Sequence, residues 1–375
     1  MGRFETVDEK TIREGGCTDI YFVRSGEVLD EDDKNPRVVM EVTAGALPDT
    51  WAIFCGLNDV VALLEGIPVD IDAMPEGTVF FPHEPVVRIS GRYRDFARYE
   101  TAILGFLCHA SGIASAAARI RCVAGDREVY SFGSRRQHPA IAAMVERSAW
   151  IGGVDGASNT AAPKGIPLAG TMPHAFVMCY PRPADAFRAF ARLAPPGVPR
   201  IMLCDTFCDE KRESLAAAAV GAEGVRLDTP RSRRGDMREI LEEVRWELDS
   251  AGYETVKIFL SGGVNREDIV RYRDIVDAFG VGGAIANATV IDFAMDIVER
   301  EGMHCAKRGK RGGVKQVYLM PSGERVTRPV GREPPAGGTS LLLPFIREGR
   351  VVRDSDMGKA RERVLSAVKD ISGNS

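Results

Sequence analysis

Residues 259–287, FLSGGVNREDIVRYRDIVDAFGVGGAIAN, decide how the chain folds. An apolar run through Val256, Ile258, Phe259 and Leu260 stops abruptly at Ser261-Gly262-Gly263. Apolar residues then recur at helical spacing on Ile269, Tyr272, Ile275 and Val276, before a second short run meets Gly280-Val281-Gly282-Gly283. This order of strand, glycine turn, helix, strand and glycine turn predicts two consecutive βα units. In (β/α) barrels the loops after the last two strands commonly hold a phosphate, because turns without side chains let backbone N–H groups reach the anion. A phosphorylated ligand is therefore expected, against the plainer reading that glycine turns are ordinary connections. Gly-Val-Gly-Gly-Ala lacks the spaced glycines and downstream acid of the dinucleotide fingerprint, which sets a Rossmann site aside.

The same rhythm extends upstream. Residues 129–133, 152–156, 165–171, 200–205 and 224–228 read as strands, separated by helical patterns over 139–150, 184–193, 211–220 and 237–250. Short strands alternating with helices predict a parallel sheet, and this many in series predict an irregular, TIM-like (β/α) barrel. Polar residues stand at the C-terminal end of nearly every strand, where barrels keep their chemistry.

At 375 residues the chain exceeds one ordinary core, so two domains or a barrel with an added layer are expected. A hydrophobic content of 45% and a charged content of 27% are those of a globular protein. A net charge of −4 leaves no basic footprint for nucleic acid, and the basic run at 307–311 reads as a solvated loop. The N-terminus lacks an apolar leader and no run of about 18 apolar residues is visible, so no membrane span and a cytoplasmic location are expected. None of the eight cysteines forms a CxxC pair. Cys204 and Cys208 stand four apart without two further ligands, so reduced packing thiols are expected and no metal-ligand set.

The two ends of the chain differ from the middle. Residues 20–22, 38–42, 51–55, 79–81 and 85–91 read as short strands broken by prolines, and 93–121 as a pair of helices. After a helix from 293 to 301, strands return at 314–320, 326–330 and 341–345. The economical architecture is an N-terminal α+β domain over 1–115, a barrel over 116–295, and a segment over 296–375 that returns to the α+β domain. A separate C-terminal domain is the alternative.

Lined up, the strand ends read Ser131-Phe132-Gly133-Ser134-Arg135-Arg136, Asp155-Gly156-Ala157-Ser158-Asn159, Gly170-Thr171-Met172-Pro173-His174, Asp205-Thr206-Phe207, Arg226-Leu227-Asp228-Thr229, Ser261-Gly262-Gly263 and Phe279-Gly280-Val281-Gly282-Gly283. In this order and spacing the chain resembles the nicotinate phosphoribosyltransferase family, of the type II phosphoribosyltransferase fold. The similarity takes in Thr18-Asp19-Ile20-Tyr21 and the Glu100-Thr101-Ala102-Ile103-Leu104-Gly105 stretch, and so covers nearly the whole chain. The resemblance implies an irregular barrel with an α+β domain, and homodimers with active sites between subunits. It also implies a reaction in which nicotinate attacks C1 of phosphoribosyl pyrophosphate to give nicotinate mononucleotide and pyrophosphate, usually aided by ATP, in NAD biosynthesis.

On this resemblance His174 matches the histidine that ATP phosphorylates or that sits beside the pyrophosphate; imidazole suits either task, as nucleophile, acid or donor. A lone histidine after a strand is otherwise structural. Asp205 resembles the carboxylate that holds the second ring nitrogen, its plainer reading being a helix N-cap. Phe132 and Arg135 resemble the pair that binds the pyridine ring, and Tyr21 the aromatic that a neighbouring subunit lays on the other face, against simple core packing. Arg135 serves either the carboxylate or the ribose phosphates, and Ser158 or Asn159 is the carboxylate's other candidate partner. Arg226 and Asp228 resemble the pair that binds the ribosyl substrate, although the tract reads Arg-Leu-Asp-Thr rather than Arg-Pro-Asp-Ser; a surface ion pair is the alternative. Gly262, Gly263, Gly282 and Gly283 match the cradle of the 5′-phosphate. Pyrophosphate chemistry implies Mg²⁺ bound through phosphate oxygens and water.

Transfer to nicotinamide or quinolinate is the competing enzymatic reading. Quinolinate carries two carboxylates and needs a more basic pocket without a phosphorylated histidine, which His174 in Gly-Thr-x-x-His opposes. A non-catalytic phosphosugar-binding barrel is the third reading, opposed by the intact set of His174, Asp205, Arg226 and Asp228.

Overall fold

The structure is a computed structural model that describes residues 4–233 and 235–373, in two compact units. One unit takes in the chain up to Ser115 together with Thr289–Ala367, and the other takes in Ala116–Ala288 with the residues from Val368 onward. The division falls within the 25-residue helix Glu100–Ala124.

The first unit is built on a seven-stranded antiparallel sheet. Its spatial order is Met303–His304, Phe293–Arg300, Arg37–Ala44, Pro85–Arg92, Val69–Ala73, Leu343–Arg347 and Arg350–Val351. Both ends of the chain thus supply neighbouring strands. Alternation along Arg37–Ala44 turns Val38, Met40, Val42 and Ala44 into a core that also holds Phe54, Leu57, Phe80 and Ile89. Phe80 stacks on Phe293 with ring centroids 5.4 Å apart. Glu41, 1% exposed, is neutralised by Lys315 Nζ at 2.7 Å. Asp296 takes Lys307 and Lys310 at 2.5 and 3.0 Å, so part of the basic run expected to be freely solvated is held on a buried carboxylate.

Several elements here depart from the sequence expectation. Residues 20–22 open the helix Ile20–Glu31 instead of forming a strand; Ile20 and Tyr21 are 57% and 58% exposed, so their strand-forming character has no sheet to serve. The segment expected to be a helix from 293 is the strand Phe293–Arg300, because pairing along Arg37–Ala44 outweighs local helix preference. Residues 93–121 are one long helix after a single turn, Tyr93–Phe96, and a 3-10 turn, Ala97–Tyr99. By length and composition the stretch Tyr93–Ala124 is long and apolar enough to cross a membrane, yet 56% of its most apolar window is buried inside the protein. Within it the hydroxyls of Ser111 and Ser115 accept from the backbone N–H of Cys55 and Ile53 at 3.0 and 2.8 Å, the behaviour of a core helix. The helices Leu57–Leu64 and Met357–Gly373 and the strand Val69–Ala73 were not anticipated.

The second unit carries six short parallel strands: β1 (Glu128–Ser131), β2 (Gly156–Ala157), β3 (Ile201–Leu203), β4 (Gly224–Leu227), β5 (Lys257–Leu260) and β6 (Ala278–Val281). They pair in the order β2-β1-β6-β5-β4-β3. Val225, Leu227, Ile258, Phe279 and Val281, all on one face of the sheet, are fully buried, whereas Tyr130, Arg226 and Phe259 on the other face are half-buried. The sheet is a half-barrel. Residues 165–171, expected as a further strand, give a single bridge from Leu168 to Ala157, because Pro167 interrupts the run and Gly165 and Gly170 adopt φ of +94° and +126°. Because every strand runs the same way, the segments after β1 to β6 all leave from one edge.

Phe80→Ala removes a fully buried ring from the first unit's core and is expected to cost about 3–5 kcal/mol, with Phe80→Leu costing markedly less. Urea unfolding followed by a probe in that unit measures both.

Candidate active site

The parallel register makes neighbours of residues far apart in sequence. Asp205 follows β3, and its Oδ2 accepts the Asp228 N–H and the Thr229 hydroxyl, each at 2.8 Å. Asp228 follows β4, and its Oδ1 accepts the Ser261 hydroxyl at 2.9 Å. The side chain of Asp205 is only 3% exposed. Burial pushes its carboxyl above the ordinary range, and the Thr229 hydroxyl and Asp228 N–H draw it part of the way back.

His174 opens the short helix His174–Met178, beside these carboxylates. Its Nε2 lies 3.6 Å from Asp228 Oδ2 and 3.9 Å from Asp205 Oδ1. Its Nδ1 lies 3.1 Å from Thr206 Oγ1. This corrects the expected arrangement: Thr206, not Asp205, meets the second ring nitrogen, and both carboxylates face Nε2. Asp205 is no helix N-cap either, because Asp209 caps Glu210–Ala218 by accepting from the Arg212 N–H at 2.8 Å.

Arg226 projects from β4. Its Nη2 donates to the Met172 carbonyl at 2.6 Å and its guanidinium lies 5.9 Å from the Phe132 ring centroid, so it is no surface ion pair. Burial disfavours its charge, while Asp228 and Asp205 favour it. Phe132 lies on Gly280, where an added Cβ would come within 2.5 Å of the ring. Arg135 is exposed on the 3-10 turn Ser134–Arg136 that follows Phe132. Ser158 lines the same hollow as His174, whereas Asn159 donates to Ser134 Oγ at 2.9 Å and braces the turn.

Two adjoining hollows, of about 660 and 540 Å³, share Phe132, Arg135, Arg226 and Asp228. The larger is bounded by Gly262, Gly263, Gly282 and Gly283, and the smaller by His174. Gly262 and Gly263 take consecutive φ of +87° and +78°, a turn that a side chain would strain. Arg136, Arg231 and Asn287 also border the larger hollow and were not anticipated from sequence. Nor were Thr206 and Ser261, although the Asp-Thr pair repeated at 205–206 and 228–229 was a readable signal for the first. Tyr21 belongs to the other unit; it is an exposed helical residue whose hydroxyl donates to Asp19 at 3.2 Å, which rules out core packing. Among the described residues no group of three His, Cys, Asp or Glu is placed to hold a metal ion. None of the eight cysteines is in a disulfide; Cys204 is buried, while Cys208 is exposed and so is not a packing thiol.

Family models for the quinolinate phosphoribosyl transferase N-terminal and C-terminal domains match residues 19–111 and 113–296. The chain belongs to the type II phosphoribosyltransferase family. This phosphoribosyltransferase is 32% identical over 332 residues to nicotinate phosphoribosyltransferase pncB1 of Mycobacterium tuberculosis, covering 81% of this chain and 72% of that one. The pncB2 protein of the same organism is 30% identical over 90% and 82% of the two chains. The crystal structure of nicotinate-nucleotide pyrophosphorylase from Pyrococcus furiosus is 47% identical, with a TM-score of 0.96 over 98% of each chain. Human nicotinic acid phosphoribosyltransferase, at 20% identity and a TM-score of 0.78 over 93% of each chain, shares the fold.

Gly280→Ala sets a Cβ within 2.5 Å of the Phe132 ring and pushes the ring out of place, beside the Arg226 guanidinium that lies 5.9 Å from its centroid. It is expected to weaken binding in the hollow that Phe132 lines and to raise the KM of a substrate that packs there about tenfold or more, readable in steady-state kinetics.

Proposed function

We propose that this phosphoribosyltransferase joins nicotinate to phosphoribosyl pyrophosphate, giving nicotinate mononucleotide and pyrophosphate with the help of ATP. The observation that carries this reading is His174, an imidazole whose Nε2 faces Asp228 and Asp205 in a hollow shared with Arg226 and Phe132. An imidazole flanked by carboxylates suits phosphoryl acceptance and proton handling, and it is a poor receptor for the second carboxylate of quinolinate. The nicotinate phosphoribosyltransferases at 30–32% identity support the same choice.

In this reading Phe132 stacks on the pyridine ring, and Arg135 or Ser158 meets its carboxylate. Asp228 accepts from the ribose hydroxyls, Arg226 steadies phosphate oxygens, and the Gly262-Gly263 and Gly282-Gly283 turns take the 5′-phosphate. The ring nitrogen attacks C1 as the bond to pyrophosphate breaks. Mg²⁺ would come bound through the donor's phosphate oxygens and water, and would supply charge neutralisation for the leaving group. Tyr21 completes the ring site of a second copy in a homodimer. The reaction is assigned to cytoplasmic NAD biosynthesis or salvage.

Quinolinate is the second reading. It draws on the descriptions of the matching family models and on Arg135, Arg136, Arg226 and Arg231, which together make the larger hollow basic. The two chemistries differ in product, because quinolinate transfer releases CO₂.

Purified protein is assayed with nicotinate, nicotinamide and quinolinate, each with phosphoribosyl pyrophosphate and Mg²⁺, with and without ATP. ATP-stimulated turnover of nicotinate is expected, and efficient ATP-independent release of CO₂ from quinolinate overturns the reading. His174→Ala is expected to lower kcat about 100-fold or more and to abolish ATP stimulation, with an unchanged far-UV circular dichroism spectrum.

A further inference from the structure

Glu213 and Thr206 have no part in the reading above, yet Thr206 meets His174 and Glu213 holds the Thr206 backbone. Glu213 lies in the first turn of Glu210–Ala218 and is 1% exposed. Its carboxylate gathers three consecutive backbone N–H groups: Thr206 donates to Oε2 at 2.9 Å, and Phe207 and Cys208 donate to Oε1 at 2.7 and 2.9 Å. The Cys208 thiol adds a fourth contact to Oε1 at 3.5 Å. A buried carboxylate persists only where donors satisfy it, and hydrogen bonds to a charge are the strong ones. The loop after β3 is therefore clamped from beneath. What the clamp fixes is the Thr206 hydroxyl, 3.1 Å from His174 Nδ1.

The two sides of the imidazole differ in kind. Carboxylates only accept, so Asp228 and Asp205 at 3.6 and 3.9 Å favour the ring proton on Nε2. Nδ1 is then a lone pair that needs a donor. A carboxylate at Nδ1, as in a Ser-His-Asp triad, locks the opposite tautomer. A hydroxyl both donates and accepts.

We propose that Thr206, held in place by Glu213, lets His174 hold either tautomer: it donates to Nδ1 while the proton is on Nε2, and turns its O–H to accept from Nδ1 when Nε2 must carry a lone pair. Both residues act through His174, so both are positioning residues. The inference rests on the reading of His174 as the reacting imidazole.

The test uses Thr206→Val, Thr206→Ser and Glu213→Gln in the full chain, read by kcat, KM and the ¹⁵N shifts of histidine-labelled protein, with the His174 signals assigned by their loss in His174→Ala. Wild type is expected to show the Nε2-protonated tautomer. Thr206→Val is expected to keep the Nε2-protonated tautomer that the carboxylates favour, to move the Nδ1 shift to that of a ring nitrogen without its hydrogen bond, and to lose about tenfold in kcat, the worth of one hydrogen bond, with KM changed by no more than about twofold. Thr206→Ser is expected to restore both readouts, and Glu213→Gln to move the Nδ1 shift in the same direction as Thr206→Val. Wild-type kcat and ¹⁵N shifts in Thr206→Val overturn the proposal, as does equal impairment of the Val and Ser variants. If Thr206→Val does not fold, Thr206→Ala carries the same measurements. Full activity in His174→Ala instead removes the catalytic reading of His174, while the ¹⁵N shifts still report whether Thr206 bonds Nδ1.

Discussion

Parallel pairing of six short strands is the constraint on which the site depends. The register of β3, β4 and β5 sets Leu203 beside Arg226 and Leu227 beside Leu260. Whatever follows those strands must then meet at one edge. Asp205 accepts from the residue after β4, and Asp228 accepts from the residue after β5, so the hydrogen-bond chain across the site repeats the strand order of the sheet. An antiparallel sheet would send alternate loops to opposite ends and break that chain.

Several of the charges removed from water are matched. Asp205 rests on an N–H and a hydroxyl, Glu213 on three N–H groups, and Arg226 on the Met172 carbonyl. In the antiparallel unit Asp72 is shared between Arg88 at 2.7 Å and Arg347. Asp72 and Arg347 come from opposite ends of the chain, so a mispaired strand would leave a charge without its partner. Such pairs add little net stability, since desolvation offsets the attraction, but breaking one is costly. Their effect is to penalise wrong registers of a sheet assembled from distant segments.

Much of this was legible in the chain. Each of the six parallel strands overlaps a short run read from the sequence, and part of the lining of the two hollows stands at the ends of those runs, although Arg231 and Asn287 do not. The failures share a cause. Residues 20–22 look like a strand but form an exposed helix, and the segment from Phe293 looks like a helix but pairs as a strand. In both cases local preference is weak beside the burial or pairing that a distant segment supplies or withholds. Thr206 was overlooked because a hydroxyl next to a carboxylate carries no sign of which one reaches a ring nitrogen.

The sequence by itself determined the alternation of strand and helix, the glycine turns after the last two strands, and the polar residues at the strand ends, because each depends on neighbours within a few positions. Tertiary structure decided that the sheet stays a half-barrel, that both ends of the chain share one antiparallel sheet, and that His174 offers Nδ1 to Thr206 and Nε2 to two carboxylates. These are questions of distance between residues tens to hundreds of positions apart, and no local pattern encodes an ångström.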